Sequence, residues 1–205
     1  MPDPVNRVIL AIDAALSCCS VAVLEGEEVV AHLSEPMTRG HAERLAPMAD
    51  EAMQAAGLPF AALDRIAVTT GPGSFTGLRV GLAFARALAL ALQRPCVGFS
   101  TLQVLALAEG SAGRRAAAIA APAGVFFALY ADGAPEVAPA WMTLAGACAH
   151  LDGAQLAGPG AVLLGAASPG VNPAAPVLAR LAAHVDPALH PPQPLYLREP
   201  YAEAP

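Results

Sequence analysis

The sequence predicts an α/β fold of two lobes, in which mixed β-sheets are flanked by helices. Short apolar runs of strand length alternate with longer segments in which apolar residues recur at helical spacing. Beyond Leu107 the chain becomes rich in Ala, Gly and Pro, and its periodicity weakens. We therefore place a lobe boundary near residue 105, with a first lobe of residues 1–105 and a smaller second lobe of residues 106–205. The sequence leaves open whether the last residues return to the first lobe.

The first predicted elements are a strand and a hairpin. The apolar run at residues 8–14 is typical of a strand that is buried on both faces. Residues 20–24 and 29–33 form two further runs, and Gly26 between them supplies the turn of a hairpin.

Helices and strands alternate in the next part of the chain. A helix is predicted from about His41 to Gly57, with small and Met side chains on one face. A strand at residues 65–70, a glycine-rich loop, a helix at residues 78–93 and a short strand at residues 96–99 follow.

The second lobe gives weaker signals. Residues 111–115 are predicted to form a loop or linker, and residues 116–121 and 125–130 a second hairpin. A helix is predicted at residues 176–185 and a final extended segment at residues 194–198.

Composition excludes several classes of protein. At 205 residues, 56% of them hydrophobic, the chain can bury a sizeable core. Its net charge of −6 argues against unaided nucleic-acid binding, because phosphate contacts need clustered Lys and Arg. The cysteines and histidines show no CxxC, HxxH or HxxxH spacing, so no metal site is encoded locally. The N-terminus lacks signal-peptide features and the longest apolar run, Val80–Leu92, is too short to span a bilayer, so we expect a soluble cytoplasmic protein.

The glycine-rich loop has two interpretations. A strand, a glycine loop and a helix N-terminus in this order present backbone N–H groups to an anion. The same order also lets a helix turn back tightly onto a sheet. Asp13, at the end of the first strand, could cap the turn that follows it. The candidates for anion or nucleotide contact are Asp13, Gly71, Gly73, Ser74, Thr76 and Gly77.

The helix after this loop carries a ridge of small residues. Gly77, Gly81, Ala85 and Ala89 recur every four residues, which lets another element approach the helix backbone closely. The ridge packs either against the chain's own sheet, which we favour, or against another subunit. The face of the first helix is similar, and Met suits adaptable contact surfaces. Two such helices could form half of a helical bundle that a second chain completes.

Four side chains are open to two interpretations each. Arg79, in the first turn of a helix, opposes the helix dipole, so we expect it to have a partner, in a salt bridge within the fold rather than in a subunit contact. His41 is either a solvated or capping residue, as we favour, or a catalytic one. Ser74 and Thr76 either bind an anion or, as we favour, satisfy the loop's own backbone. No Ser/His/acid motif marks Ser74 as a nucleophile.

The order of elements resembles the first lobe of the actin-like ATPase superfamily, which has a ribonuclease H-like fold. The individual motifs resemble the TsaB (YeaZ) family, formerly grouped with the glycoprotease-like M22 peptidases. The loop and the Arg-Gly-His-x-Glu-Arg-Leu helix entry, together and in this order, are highly specific. The resemblance covers the first hundred residues well and the rest thinly, and it rests on Ile12-Asp13, residues 19–22, Arg39–Leu45, Gly71–Gly81 and Tyr196–Arg198.

The resemblance implies a non-catalytic scaffold in the complex that adds the threonylcarbamoyl group to adenosine 37 of tRNAs reading ANN codons. The implied partners are the catalytic paralogue TsaD and the ATPase TsaE, with tRNA bound only through the complex and a homodimer possible in isolation. No cofactor of its own is expected, whereas ATP and a metal ion are expected on the partner. Docking through the first two helices gives a partner interface of Arg39, His41, Leu45, Met48, Ala52, Leu78, Gly81, Leu82, Ala85 and Ala89.

Departures from catalytic relatives support this division of labour. The catalytic paralogue carries two metal-binding histidines four residues apart, and Thr101 and Leu105 stand in those places here. Polar residues of the family are also missing at Ala14-Ala15 and at residues 120–126. An actin-like ATP-binding phosphotransferase or ATPase is the main alternative, supported by Asp13 and the glycine loop. Asp13 stands where the acid of that superfamily orients the metal-bound nucleotide, so the resemblance implies either that role or the cap of a turn. A glycoprotease-like hydrolase is a third.

Overall fold

The computed structural model describes residues 7–166 and 175–197. In this part of the chain the helices and strands follow the α/β pattern that the sequence predicts. In chain order they are β1 (Val8–Asp13), β2 (Cys18–Glu25), β3 (Glu28–Pro36), α1 (His41–Ala55), β4 (Arg65–Thr69), α2 (Phe75–Leu92), β5 (Cys96–Phe99), α3 (Thr101–Ala106), β6 (Arg114–Ala121), β7 (Gly124–Ala131), β8 (Ala134–Met142), α4 (Leu144–Cys148), β9 (Gln155–Ala157) and α5 (Ala175–Ala183).

The first sheet is mixed and has the strand order β3-β2-β1-β4-β5. β1, β2 and β3 pair in antiparallel fashion, whereas β1 pairs with β4 and β4 with β5 in parallel. The predicted hairpin is confirmed, and Gly26 takes the positive φ of 61° that its turn requires. β1 is buried along its whole length, which explains its uninterrupted apolar run.

Helices cover both faces of this sheet. The buried faces of α1 and α2 pack side by side on one face, against apolar residues of β1, β2 and β4. α5 packs on the other face, against β1, β2, β4 and β5. By length and composition alone α2 could cross a membrane, but a core helix also meets that criterion, and a third of its residues are buried here.

The second sheet has the order β8-β7-β6-β9. The predicted second hairpin is confirmed as β6 and β7. β8, α4 and β9 are not predicted from the sequence, because their Ala- and Pro-rich residues carry little apolar periodicity. The short helix α3 packs on this sheet: Leu102 and Leu105 are buried with Ala117, Ile119 and Ala128.

The chain after β9 returns to the first sheet. The predicted helix at residues 176–185 is confirmed as α5. Beyond it, the backbone N–H of Gly98 donates to the carbonyl of His190 over 2.9 Å, and that of Leu195 to the carbonyl of Thr70 over 2.8 Å. Residues 194–197 form no strand, and Arg198 of the predicted extended segment lies outside the described residues.

Arg65, at the start of β4, is buried and fixes the C-terminal end of α5. Its Nη1 donates to the carbonyl of Ala182 and, over 3.0 Å, to that of Val185. Ala182 lies in the last turn of α5, where carbonyls have no partner within the helix, and Val185 lies just beyond that helix, so a cation there is favourable.

We expect Arg65→Met to lower the free energy of unfolding by about 2 kcal/mol, because two charge-assisted hydrogen bonds are lost while the carbonyls stay covered. Urea unfolding measures this, with Arg94→Met at an exposed arginine as the matched control. Equal midpoints for both variants would contradict this role of Arg65.

Candidate functional site

Asp13 lies at the carboxyl end of β1, where ligands often bind in sheets with parallel strands. Its side chain is fully buried, and its Oδ1 accepts hydrogen bonds from the Thr69 hydroxyl over 2.6 Å and the Ala15 N–H over 3.3 Å. Its Oδ2 has no partner among the described residues. Burial raises the pKa of Asp13 from 3.8 to about 7, against the lowering effect of these hydrogen bonds.

The turn after Asp13 packs directly against the glycine loop. A Cβ atom added at Gly73 would lie 2.1 Å from the carbonyl oxygen of Ala15, and one added at Gly77 would lie 2.1 Å from that of Ala14. The N–H of Ser74 donates to the Ala15 carbonyl over 2.6 Å. These two glycines therefore allow two backbone segments to touch, and at least one N–H of the loop is used within the fold.

A side chain of the glycine loop caps the N-terminus of α2. The hydroxyl of Ser74 accepts a hydrogen bond from the N–H of Gly77 over 3.3 Å, so the prediction that Ser74 satisfies the loop's own backbone is confirmed. Thr76 is exposed, and with Arg39 and His41 it lines a cavity of about 390 Å³ between the first turns of α1 and α2.

Apolar side chains fill the region between the two sheets. Leu16, from the turn after β1, packs with Phe126 and Leu197 against the cluster that α3 forms with β6 and β7. A cavity of about 130 Å³ lies between the glycine loop, Phe126 and residues 195–197. A larger cavity of about 520 Å³ lies beside it, between Pro139, Trp141 and Leu197.

The two positions that would be metal ligands in the catalytic paralogue lie on α3. Thr101 and Leu105 are both fully buried, and Leu105 packs in the core of the second sheet. Among residues 7–166 and 175–197, no three His, Cys, Asp or Glu side chains are grouped as a metal site requires. At residues 120–126, the chain simply turns through Pro122 and Ala123 from β6 into β7.

Most of the predicted interface residues lie inside the fold. Gly81 faces the Cβ of Ala14 at 3.6 Å and a methyl of Val68 at 3.8 Å, measured from an ideal Cβ. The small ridge therefore packs on the chain's own sheet, as we favoured. Arg39 is exposed. The predicted interface residues that are buried in the single chain are His41, Leu45, Met48, Ala52, Leu78, Gly81, Leu82, Ala85 and Ala89.

The exposed sides of the same helices form a different surface, which we call the outer face. It consists of two stripes with identical spacing. The stripe on α1 is Glu43, Pro47, Asp50 and Gln54, and the stripe on α2 is Arg79, Ala83, Arg86 and Leu90. The sequence carried a signal for it, because these residues follow the i, i+4, i+7, i+11 spacing opposite the buried face.

The prediction for His41 is wrong, and the salt bridge that we favoured for Arg79 is not found among the described residues. His41 is only 5% exposed, its Nε2 has no partner among the described residues, and the N-cap of α1 is Gly40, so His41 is neither solvated nor a cap. Arg79 forms no salt bridge with any carboxylate of the described chain; its guanidinium lies 3.6 Å from the centre of the Phe75 ring.

Comparison with known proteins agrees with these motifs. The family model described as TsaD, tRNA N6-adenosine threonylcarbamoyltransferase, matches residues 29–133. The tRNA threonylcarbamoyladenosine biosynthesis protein TsaB of Escherichia coli is 41% identical over 98 residues, which are 48% of this chain and 42% of that protein. The match thus spans less than half the length of this curated relative.

Two further relatives match along nearly the whole chain. An uncharacterized protein of Mycobacterium tuberculosis is 37% identical over 214 residues, covering 95% of this chain and 93% of that protein. A crystal structure of a Pseudomonas aeruginosa protein with similarity to the peptidase YeaZ superposes with a TM-score of 0.79 and 32% identity, over 94% of this chain and all of that one. With the buried Asp13, the glycine loop packed on the first turn and the two-sheet architecture, these matches show that the chain belongs to the TsaB/YeaZ family.

Proposed function

We propose that this chain is a non-catalytic scaffold subunit of the complex that adds the threonylcarbamoyl group to adenosine 37 of tRNAs reading ANN codons. The observation that carries the proposal is the burial of Thr101 and Leu105 in the packed helix α3, at the positions where a catalytic paralogue needs two metal-binding histidines. The name of the Escherichia coli relative supplies the pathway.

The proposed partner is the catalytic subunit TsaD, with the ATPase TsaE and with tRNA bound only through the complex. A family model described as TsaD matches a region of this chain that contains α1 and α2, so the two subunits are expected to be related in fold. We propose that TsaD docks on the outer face. Two exposed alanines of α2, Ala83 on the outer face and Ala87 one turn further along the helix, would allow close approach of a partner's helices.

The apolar packing beside the turn after β1 also supports a scaffold without a nucleotide of its own. Leu16, Phe126 and Leu197 pack against the cluster that α3 forms with β6 and β7, and these side chains offer no polar partner to a nucleotide. The alternative, an ATP-binding phosphotransferase or ATPase, is supported by the position of Asp13 at the end of β1. Calorimetry with ATP and magnesium separates the two, because tight binding by the isolated chain would favour the alternative.

We expect the purified chain alone to leave tRNA unmodified, and a mixture with TsaD, TsaE and a threonylcarbamoyl donor to modify it. Incorporation of labelled threonine into tRNA measures the product. Equal modification by the mixture without this chain would contradict the scaffold role.

We expect Ala83→Trp to weaken TsaD binding at least about thirtyfold, because a large side chain on the outer face would hold the partner away. The matched control is Ala145→Trp, at an exposed alanine of α4 on the second sheet, with unchanged affinity expected. Calorimetric titration with TsaD gives both affinities, and circular dichroism verifies that each variant is folded. Equal affinity for the two variants would place the docking surface elsewhere.

A further inference from the structure

A cavity of about 480 Å³ lies beside α5 and shares no lining residue with the cavities at the glycine loop. One wall consists of side chains from residues 177–184, in α5 and directly after it. A second wall is the loop after α3, at residues 107–111, and Glu27 contributes from the turn between β2 and β3. We call this space the α5 cavity. Its volume is within the range of small-molecule sites, about 300–1,000 Å³.

The buried part of the α5 cavity is apolar. Leu107, which is only 7% exposed, lines it together with the half-buried Val177 and Leu181. Leu181 packs against core residues of both sheets, so this surface belongs to the junction of the two cores. Covering such a surface is favourable for a ligand with an apolar body, because apolar area is removed from water.

The exposed part of the cavity carries hydrogen-bond donors that are not used within the described chain. Arg180 is exposed, and no carboxylate among the described residues lies within 4.0 Å of its guanidinium. Ser111 is also exposed, and within the same residues neither its N–H nor its hydroxyl has an acceptor. A guanidinium with neighbouring N–H and O–H groups is a set of donors that binds a carboxylate.

A carboxylate lines the same cavity. Glu27 is 71% exposed, and its Oε1 lies 3.6 Å from Nε2 of His184, one turn after Arg180. A carboxylate accepts several hydrogen bonds, so this long contact leaves Glu27 able to accept more. A simple anion would be attracted by Arg180 and repelled by Glu27, and the reverse holds for a simple cation. A ligand that carries both charges satisfies both side chains.

We propose that the α5 cavity binds a free α-amino acid with a large apolar side chain. The carboxylate of this ligand accepts hydrogen bonds from Arg180 and Ser111, and its ammonium group donates to Glu27. Its side chain covers the apolar part of the cavity. This inference goes beyond the proposed function, because it concerns a ligand of the single chain, and its failure would leave the scaffold role unaffected.

The experiment titrates the isotope-labelled full chain with L-phenylalanine and follows its amide NMR signals. Saturable shifts are expected at residues 107–111 and 177–184, with a Kd of about 1 mM or lower. Two analogues carry the same ring and only one of the two charges: hydrocinnamate lacks the ammonium group and phenethylamine lacks the carboxylate. Each should bind at least about fivefold more weakly than phenylalanine.

Two substitutions assign the two charges of the ligand. Arg180→Met should weaken phenylalanine binding at least about fivefold without weakening that of phenethylamine, which has no carboxylate. Glu27→Gln should weaken phenylalanine binding to a similar extent without weakening that of hydrocinnamate, which has no ammonium group. The matched controls are Arg94→Met and Glu28→Gln, at exposed residues that do not line the cavity, and each should leave the Kd within about twofold.

Three results would overturn the proposal. They are the absence of saturable shifts up to about 20 mM phenylalanine, shifts confined to residues outside the α5 cavity, and an analogue that binds as tightly as phenylalanine. Thermal melting verifies that each variant is folded. Because Arg180 lies in the last turn of α5, Arg180→Gln, with the same expected loss, replaces Arg180→Met if that variant is destabilised.

Discussion

Replacement of Gly77 by alanine is expected to lower the free energy of unfolding by about 3 kcal/mol or more. The added Cβ would lie 2.1 Å from the carbonyl oxygen of Ala14, and the obstructing atom belongs to backbone that is fixed in the core. Either the turn after β1 or the start of α2 must move, at the upper end of the cost of overpacking. The hydrogen bond from Gly77 to the Ser74 hydroxyl would move with it.

The control lies one turn further along the same helix. At Gly81 an added Cβ would meet the side chains of Ala14 and Val68 at 3.6 and 3.8 Å, which is ordinary contact distance. Alanine also has a higher helix propensity than glycine, so Gly81→Ala is expected to be neutral or to stabilise the fold by up to about 1 kcal/mol. Urea unfolding of both variants gives the comparison. Similar stabilities for the two would show that the turn and the helix are not held against each other as described.

The order of elements in the first lobe follows from the sequence because each signal there is local. Three examples are the uninterrupted apolar run of β1, the Gly26 turn and the small ridge of α2. Each of these patterns is determined by the conformation or burial of the element that carries it. Their agreement with one another is what makes the fold class predictable.

The location of the interface could not be predicted in the same way. A periodic stripe of small or apolar residues shows which face of a helix is buried, but not whether the chain's own sheet or another chain covers it. For α1 and α2 the sheet covers that stripe. The polar stripes on the opposite side, which the sequence also contains, form the outer face on which we propose that a partner docks.

In the second lobe, prediction from the sequence fails for a different reason. β8 has exposed and half-exposed residues along its length and includes Pro135 and Pro139, so it lacks the alternation that marks a strand. It is recognised only through its pairing with β7, a contact between parts of the chain that local patterns do not encode. The burial of His41, by contrast, follows from its helix position, because His41 lies one turn before Leu45 on the buried face of α1.

Asp13→Asn is expected to stabilise the protein at neutral and alkaline pH but not in acid. The pKa of this carboxyl is about 7 in the fold, against 3.8 for the free side chain, because burial disfavours the charged form. Below pH 3.8 the group is protonated in both the folded and the unfolded chain and costs nothing. As the pH rises from 3.8 to about 7, only the unfolded chain loses the proton, so stability falls by about 1.4 kcal/mol per pH unit.

The asparagine variant cannot lose a proton and is therefore spared this loss, while its amide oxygen can still accept from Thr69 and Ala15. The difference in stability between the variant and the unchanged chain should be small near pH 4 and grow to at most about 4 kcal/mol above pH 7. Urea unfolding at a series of pH values measures it, with Asp152→Asn at an exposed carboxylate as the control. A difference that does not change with pH would mean that Asp13 is already ionised in the fold at low pH. That result would indicate a cation or a further hydrogen-bond donor at its Oδ2, and would strengthen the case for a ligand at the end of β1.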